Sequence, residues 1–455
     1  MSKSSPQSIS TAKVAWYSAT ALVIANIIGA GIFTTTGFQA ASLGHPTLIL
    51  MLWMVGGLLA WCGAQCYAEL GAMMPRAGAE YAYLRETFGP LFGFMSAVIS
   101  LVAGFSAAIA AALKALIRYL SAFFPVLSDP VPVMGLIKID DAAAIVLVWL
   151  LVAVHSRSLS LGFRFNDLVT LMKVTGITLI LLLGFAVGDG DVANLAVVSQ
   201  TFYDQGLVQL FSSFSVSLIF VMFCFSGWNA AAYIAHEIKD VQKNLPRALM
   251  LGTLIVTGLY LALNLLYFYG ADVFQLSGVA EVGLVAAEHL FGTTGVTLTV
   301  IVLSVSIFAS ASAMTIAGPR VYFALGQDHK LLGFLARTKP HSSVPVNALV
   351  LQGIVTTLLI LSARIDQIIQ YAGFSLVLFS ALAVASVMVL RKRRPDLERP
   401  FKVTAYPFTP VLFLCASLWM MIWNLTGPYW FESLMSLATV GLAALLFSLL
   451  NRAGE

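Results

Sequence analysis

Two glycines stand one residue apart in the stretch ANIIGAGIF, which runs from Ala25 to Phe33 inside a long apolar segment. A glycine costs about 1 kcal/mol relative to alanine in a helix interior, so Gly29 and Gly31 permit an unwound bend. Unwound backbone at membrane depth is tolerated only where it faces protein or a wet cavity, and its unpaired N–H groups then become ligands. The half-helix that begins at Ile32 directs its positive end at the bend, which suits a carboxylate. The alternative is close helix packing through small residues, and this stretch alone leaves both interpretations open.

A second interruption lies in FCFSGWNAAAY, from Phe223 to Tyr233, where Ser226, Gly227 and Asn229 break an apolar run. If the chain consists of two repeats of five helices, the two interruptions fall in corresponding helices, the first and the sixth. Paired interruptions of this kind point to the binding site of a transporter. Carbonyl groups freed at the end of a half-helix attract a cation, so N–H groups that face them form a site for a zwitterion. The pattern therefore predicts an amino acid as the ligand.

The third feature that could take part in chemistry is a lone charged residue. Lys173 lies in NDLVTLMKVTGITL, inside the fifth predicted span, at a depth of about 13 Å for a rise of 1.5 Å per residue. An ionisable side chain at this depth is costly and is a functional hypothesis by default. Two interpretations remain open: a proton that comes and goes during transport, or a permanently charged lysine that tethers helices.

Membrane helices must position these groups. The chain is 59% hydrophobic and 10% charged with a mean hydropathy of +0.91, whereas soluble domains carry about 25% charged residues. We predict an all-α membrane protein with 12 transmembrane helices, arranged as a 5+5 inverted repeat in which helices 1 and 6 are discontinuous. The predicted spans lie near 14–43, 47–73, 91–123, 141–155, 165–188, 207–236, 246–270, 293–325, 346–362, 366–390, 405–425 and 429–450.

The chain divides into a transport core and an appended pair of helices. Residues 1–390 form the predicted inverted-repeat core, with helices 1–5 at about 14–188 and helices 6–10 at about 207–390, and 391–455 hold two additional helices. Basic residues concentrate in segments that share one side of the membrane, so the positive-inside rule predicts cytoplasmic termini and an inner or plasma membrane. The run RKRRP at Arg391–Pro395 fits a positive-inside anchor at a helix end. Lipid is therefore the expected surrounding, and no nucleic acid partner is expected.

Three motifs together resemble the amino acid–polyamine–organocation superfamily. They are IIGAGIF, YAELGAMMPRAGAEYAYLRETFG at Tyr67–Gly89 and FSGWNAAAYIAHEIKDVQKNLPRAL at Phe225–Leu249. The third motif is most similar to the L-type amino acid transporters and their bacterial relatives. The resemblance covers roughly residues 14–390 in order and spacing, and it implies secondary active transport by alternating access, as an exchanger or a proton-coupled symporter.

The resemblance also implies a substrate site. The substrate carboxylate would meet backbone N–H groups near Gly29, and the substrate ammonium would meet backbone carbonyls at both interruptions. Phe223 would close over the substrate from outside, and Trp228 and Asn229 would line the side-chain pocket, although core packing is the alternative for both aromatic residues. The residues implied are Ile27, Gly29, Ala30, Gly31 and Ile32 in the first interruption, and Phe223, Ser226, Gly227, Trp228 and Asn229 in the second, with N–H donors at Ala30, Gly31 and Ile32 and carbonyl acceptors at Ile27, Phe223 and Ser226.

In the resembled family, a lysine in the fifth helix occupies the place where sodium binds in sodium-coupled relatives. The implied partners of Lys173 are the Gly29 region and one of the hydroxyls of Ser306, Ser310 and Ser312. A lysine ammonium argues against sodium at this site. No metal or cofactor is expected, and a proton is the possible coupling partner.

The substrate class follows from the charges near the interruptions. The central parts of the first, third, sixth, eighth and tenth spans hold no acid and no arginine, which favours neutral amino acids over cationic amino acids, polyamines and acidic substrates. A receptor that binds an amino acid without transport is a further alternative. Four charged residues in or shortly before the loop at 75–89 are expected either to form an inner gate or to cap helices on a wet face: Glu69, Arg76, Glu80 and Arg85.

The chain is not expected to be an enzyme, since HExxH, GxSxG and Walker motifs are absent from the sequence,. A disulfide-linked heavy subunit is not expected either. The connection at Ser121–Asp140, which follows the third span, contains no cysteine.

Overall fold

The computed structural model describes residues 14–76, 78–128, 132–133, 137–157, 159–338 and 344–454. Within these ranges the chain is almost entirely helical, with one two-stranded antiparallel hairpin of β1 (Pro132–Val133) and β2 (Ile137–Lys138). The α-helices are α1 (Trp16–Ile27), α2 (Thr35–Leu43), α3 (Pro46–Met73), α4 (Glu80–Phe88), α5 (Pro90–Ile99), α6 (Ala108–Leu120), α7 (Ile139–His155), α8 (Leu159–Val187), α9 (Gln200–Asp204), α10 (Leu207–Cys224), α11 (Ala230–Tyr233), α12 (Val241–Gly270), α13 (Val273–Leu276), α14 (Val282–Asp328), α15 (Val346–Ser362), α16 (Ile365–Arg393), α17 (Phe408–Thr426) and α18 (Trp430–Gly454).

Shorter helical segments connect or interrupt these helices. A π-helix at Ser100–Ala107 joins α5 to α6 without a break in the span. The 3₁₀ segments are Gly31–Phe33, Pro125–Ser128, Val192–Ala196, Ser226–Asn229, Ala235–Glu237 and Lys330–Ala336.

Nine segments in the described residues are long and apolar enough to cross a membrane. Two further helices, Trp16–Ile27 and Val346–Ser362, are also apolar but shorter than these nine segments. The nine candidate spans are Pro46–Met73, Pro90–Leu120, Leu168–Val187, Leu207–Cys224, Val241–Gly270, Val282–Asp328, Ile365–Arg393, Phe408–Thr426 and Trp430–Arg452. The chain is therefore a multi-pass membrane protein, as the composition predicts.

Helix boundaries follow local sequence signals. Gly44 ends α2 in the left-handed conformation with φ 61°, and Pro46 begins α3 at the position where a missing N–H costs nothing,. Gly292 adopts φ 63° and ψ −162° inside α14. This non-helical residue separates the first part of α14, residues 282–291, from the long span that follows. The predicted start of the eighth span at 293 coincides with this point.

Each end of the first helical segment lies against the opposite end of the sixth, so the two segments run in opposite directions. Val14 bridges the chain at Ile238 in a single β-bridge, which ties the start of α1 to the end of the sixth segment. At the other end, Ser42 of α2 lies 3.1 Å from Ser217 of α10 between their hydroxyl oxygens. Two antiparallel segments of matching length therefore place their interruptions side by side.

Two buried acids of the loop region do not lie on a wet face. Glu69 is 1% exposed and Glu80 is 3% exposed, so the expectation of helix caps facing water is wrong for both. Glu69 receives hydrogen bonds from the Arg391 guanidinium, with Nε–Oε1 at 2.9 Å, and from the backbone N–H of Val403 at 2.8 Å. The Glu69 carboxylate thus holds α3 to the end of α16 and to the connection before α17. Arg85, by contrast, is exposed and pairs with Asp328.

We predict that Glu69→Ala lowers the thermal stability of the purified protein strongly. Removing one partner of a buried ion pair costs about 3–5 kcal/mol because the other charge stays behind unpaired. Glu86→Ala is the matched control, since Glu86 forms a half-exposed pair with Arg394 at 3.5 Å, and such pairs contribute about 0–1 kcal/mol. Unfolding in detergent followed by tryptophan fluorescence measures both. Equal shifts of the two variants would contradict this role of Glu69.

Candidate substrate site

The first interruption lies where the sequence predicts it. Helix α1 ends at Ile27, and Ile28 adopts an extended conformation with φ −71° and ψ 92°. A 3₁₀ turn at Gly31–Phe33 follows, and α2 begins at Thr35. The predicted start of the second half-helix, Ile32, lies inside the 3₁₀ turn, so the regular helix begins three residues later than expected.

Side chains from three other helices satisfy the carbonyl groups that the interruption frees. The Lys173 ammonium of α8 donates to the carbonyl of Ala25 at 3.1 Å and to the carbonyl of Ile28 at 2.7 Å. The hydroxyl of Tyr260 on α12 donates to the carbonyl of Ile27 at 2.7 Å. The hydroxyl of Ser310 on α14 also donates to the carbonyl of Ile28. Each freed acceptor in this set therefore has a protein donor.

The N–H groups of the same interruption have no such partners. In the described part of the chain, the backbone N–H groups of Ala30, Gly31 and Ile32 donate to no protein acceptor. All three residues are buried. Since buried backbone groups are normally paired, three adjacent free donors form a site that an anion would complete. The interruption is therefore asymmetric: its acceptors are satisfied and its donors are available.

Close packing explains why one glycine of the pair is required. A Cβ on Gly31 would lie 2.5 Å from the Cys224 Sγ at the end of α10, whereas a Cβ on Gly29 would meet its nearest atom only at 3.9 Å. A Cβ on Gly227 would lie 2.3 Å from the carbonyl carbon of Asn26. The bend and the small-residue packing, which the sequence left as alternatives, therefore coexist here.

The second interruption is milder than the first. Helix α10 ends at Cys224, and a 3₁₀ turn at Ser226–Asn229 leads into the single turn of α11. The carbonyl of Cys224 accepts a hydrogen bond from Tyr260 at 3.2 Å, so one hydroxyl bridges both interruptions. The carbonyl of Phe223 accepts a bond from the N–H of Phe225. Two of the three carbonyls expected to bind an ammonium, those of Ile27 and Phe223, therefore already have one donor and retain one lone pair each.

The two candidate pocket side chains have different surroundings. The indole of Trp228 is 2% exposed and packs edge-on against Tyr67 of α3, with ring centroids 4.6 Å apart. It also packs so closely on Gly63 that a Cβ at that position would lie 2.6 Å from the ring. These are the contacts of a core residue. Asn229 is also buried, but its amide nitrogen donates to the carboxylate of Glu80 at 3.0 Å.

Lys173 lies at the centre of a three-helix contact. Its side chain is 1% exposed, and its Nζ lies 2.6 Å from the Ser310 Oγ. The expectation of a contact with the region around Gly29 and with Ser310 agrees with this geometry. Ser306 instead donates to the carbonyl of Val302, and Ser312 lies 2.8 Å from the His155 Nε2. Of the three alternative serines, Ser310 is therefore the one that contacts Lys173.

A cleft borders the interruptions on the side where α1 begins. It has about 430 Å³ of empty volume and lies between α1, α11 and α14. Its polar lining comes from Asn26, Tyr233 and Arg320, and Ala230 contributes a small apolar side chain. Asn26 and Ala230 each lie next to one of the two interruptions, so the cleft borders both.

Sequence reasoning missed two residues of this site. Tyr260 lies in the apolar run GLYLALNLLYFYG, where nothing distinguishes it from a core tyrosine. Glu80 lies in a loop motif outside the spans, so a count of acids within spans does not include it. Only the packing of α3, α4 and the sixth segment brings Glu80 to Asn229.

Comparison with known proteins gives one family across nearly the whole chain. The family profile described as "Amino acid permease" matches residues 14–445.

Three curated proteins illustrate the similarity. The large neutral amino acids transporter small subunit 2 of Mus musculus is 28% identical over 438 residues, which cover 94% of this chain and 78% of that protein. The serine/threonine exchanger SteT of Bacillus subtilis is 29% identical over 405 residues, which cover 88% of each chain. The b(0,+)-type amino acid transporter 1 of Mus musculus is 27% identical over 402 residues, which cover 88% of this chain and 80% of that protein.

We predict that Gly31→Ala abolishes ligand binding at the first interruption, because the added methyl group displaces the Cys224 side chain and shifts the three free N–H groups. Gly29→Ala is the matched control and is expected to bind normally, since its methyl group has space. Replacing Cys224 by alanine in the Gly31→Ala background removes the clashing sulfur and should restore part of the binding. Amino acid-induced thermal stabilisation of the purified protein measures all three. Equal losses for Gly29→Ala and Gly31→Ala would contradict the packing argument.

Proposed function

Because the chain belongs to the amino acid permease family, we propose that it is a secondary transporter that moves neutral amino acids across a membrane by alternating access. Two of the similar proteins are a transporter subunit named for large neutral amino acids and an exchanger named for serine and threonine. The observation that carries the proposal is the set of free N–H groups at Ala30, Gly31 and Ile32. They form a preorganised site for the carboxylate that every α-amino acid has.

We propose an architecture of twelve spans in a 5+5 inverted repeat, with a core of 1–390 and two further helices in 391–455. The antiparallel course of the first and sixth segments supports the repeat, since equivalent helices of inverted halves run in opposite directions. The two interruptions also meet at Gly31 and Cys224. The proposed orientation has cytoplasmic termini in an inner or plasma membrane, and it rests on the distribution of basic residues.

The backbone site cannot distinguish one amino acid from another, so the substrate class depends on side chains nearby. The carboxylate would bind at Ala30, Gly31 and Ile32, and the ammonium at the free lone pairs of Ile27 and Phe223 and at the carbonyl of Ser226. Phe223 would close the site from outside, and Asn229 would contact the substrate side chain. The core packing of Trp228 does not support a pocket role for its ring.

A second candidate function is the transport of cationic amino acids. It is favoured by one observation: the buried carboxylate of Glu80 lies within hydrogen-bond distance of Asn229. The central parts of the spans contribute no acid to the site, but folding brings Glu80 to it from outside the spans. Competition between neutral and cationic amino acids in uptake separates the two candidates.

Lys173 fits a permanently charged tether better than a proton carrier. An ammonium has three N–H donors, and Lys173 has three acceptors, the carbonyls of Ala25 and Ile28 and the hydroxyl of Ser310. Such full pairing stabilises the charged form throughout. Exchange of one amino acid for another, without a proton, is the mode of transport that this arrangement supports. The same ammonium fills the space that a sodium ion would need.

We expect proteoliposomes to take up labelled neutral amino acid strongly when they are preloaded with unlabelled amino acid, and weakly when they are empty. An inward proton gradient should add little, because the proposed exchange moves no proton. Uptake into empty vesicles that depends on the gradient would contradict exchange and favour proton symport. Absence of uptake for every neutral amino acid would contradict the proposed substrate class.

Lys173→Met tests the tether separately. The methionine side chain fills similar space without donors, so the carbonyls of Ala25 and Ile28 lose their partner and the first interruption loses its shape. We expect exchange to fall severely in this variant while the protein remains folded in the membrane. If Lys173→Met abolished only gradient-driven uptake and left exchange intact, the lysine would be a proton carrier instead.

A further inference from the structure

Glu80 is a buried acid in an unusual setting. It is the first residue of α4, between the spans α3 and α5, and its side chain is 3% exposed. One carboxyl oxygen, Oε1, accepts hydrogen bonds from the hydroxyl of Tyr67 on α3 and from the amide nitrogen of Asn229. The acid thus joins a short helix outside the spans to the second interruption.

No basic residue balances this carboxyl. In the described ranges, Glu80 takes part in no ion pair, whereas the nearby Glu69 pairs with Arg391 and Arg85 pairs with Asp328. Burial raises the pKa of the Glu80 carboxyl, and the hydrogen bonds from Tyr67 and Asn229 act in the opposite direction. A buried acid without a counter-ion is costly. Its stabilisation therefore depends on these two hydrogen bonds.

The hydrogen bond to Glu80 fixes which way the Asn229 amide faces. A carboxylate accepts hydrogen bonds and does not donate them, so it selects the NH₂ group of the amide. The Asn229 nitrogen also lies 3.5 Å from the hydroxyl of Tyr233, and Tyr233 lines the cleft beside the interruptions. With its nitrogen held on this side, the planar amide presents its oxygen in the opposite direction. The orientation of Asn229 is thus set from outside the spans.

We propose that Glu80 is a positioning residue of the substrate site, which holds the amide of Asn229 in one orientation and thereby sets how well the substrate side chain is bound. The inference rests on the proposed function, because Asn229 acts there as a contact to the amino acid side chain. It adds a residue of the loop motif to the determinants of substrate affinity. It also gives the sequence PRAGAEYAY a role in binding as well as in helix connection.

The consequence for transport is specific. Without the Glu80 acceptor, the Asn229 amide can rotate, and the substrate meets a disordered contact in place of a fixed one. Binding weakens, and the proposed role of Glu80 in orienting Asn229 does not extend to the helix movements of transport. The Michaelis constant should therefore rise and the maximal rate should change little.

Kinetics of exchange in proteoliposomes test this with four variants. Glu80→Ala is expected to raise KM about tenfold with little change in the maximal rate, the size typical of one lost hydrogen bond to a charged group. Glu80→Gln keeps an acceptor oxygen and should restore KM to near the wild-type value. Asn229→Ala should raise KM as Glu80→Ala does. The double variant should be no worse than Asn229→Ala alone, because both changes remove the same contact.

Tyr83→Phe is the matched control in the same helix. The Tyr83 hydroxyl is buried and has no hydrogen-bond partner among the residues that the structure describes. Its removal should therefore leave KM unchanged while altering the same region of α4. Thermal stability measured on every variant identifies any general loss of folding.

Three results would overturn the inference. Additive effects of Glu80→Ala and Asn229→Ala would mean that the two residues act independently. A fall in the maximal rate with unchanged KM, accompanied by a loss of thermal stability, would make Glu80 a structural residue. A loss of cationic amino acid uptake in Glu80→Gln, with neutral uptake intact, would make it a counter-ion to the substrate. Absence of neutral amino acid transport in the wild type would contradict the proposed function itself. The hydrogen bond between Asn229 and Glu80 would then be tested by the thermal stability of the two single variants and the double variant.

Discussion

Backbone groups that a helix releases inside a membrane have no water to bind, and this constraint determines the arrangement around the first interruption. Residues that pack there from α8, α12 and α14 supply donors to the carbonyls, through Lys173, Tyr260 and Ser310. Nothing in the described chain supplies acceptors to the N–H groups that follow. An unpaired donor in a dry environment is costly, so the protein retains a local deficit that a bound carboxylate removes. In the proposed mode of binding, the substrate carboxylate completes the backbone hydrogen bonding at this interruption.

The two interruptions pack so closely that a side chain at Gly31 or Gly227 would clash with the other interruption. Gly31 leaves space for the Cys224 sulfur, and Gly227 leaves space for the backbone of Asn26. Tyr260 then donates to one carbonyl from each interruption, so its hydroxyl links the two half-helices directly. This shared donor fits the coupling between the first and sixth helices that the proposed alternating access requires. The Lys173 contacts attach the same unit to α8 and α14.

Much of the fold is readable from the sequence because membrane helices are long apolar runs with strong end signals. The second predicted span, 47–73, corresponds to α3 at Pro46–Met73. The predicted start of the eighth span near 293 coincides with the non-helical residue Gly292. Contacts between helices are less readable. An eighth-helix serine was expected beside Lys173, but only packing decides that Ser310, and neither of its neighbours at positions 306 and 312, faces it. The contact of Glu80 with Asn229 escaped prediction for the same reason, because only packing brings this residue of the loop motif to the second interruption.

The central claim is that free backbone donors at the first interruption bind the carboxylate of the substrate. The direct measurement is the affinity of the purified protein for a transported neutral amino acid, its primary amide and the amine that lacks the carboxyl group, each by calorimetry in the same detergent. Several hydrogen bonds to a charged group are lost in both analogues, so we expect affinity to fall by about a hundredfold or more. Binding of the amide or the amine with the affinity of the amino acid would contradict the account, because the carboxylate would then have no part in recognition.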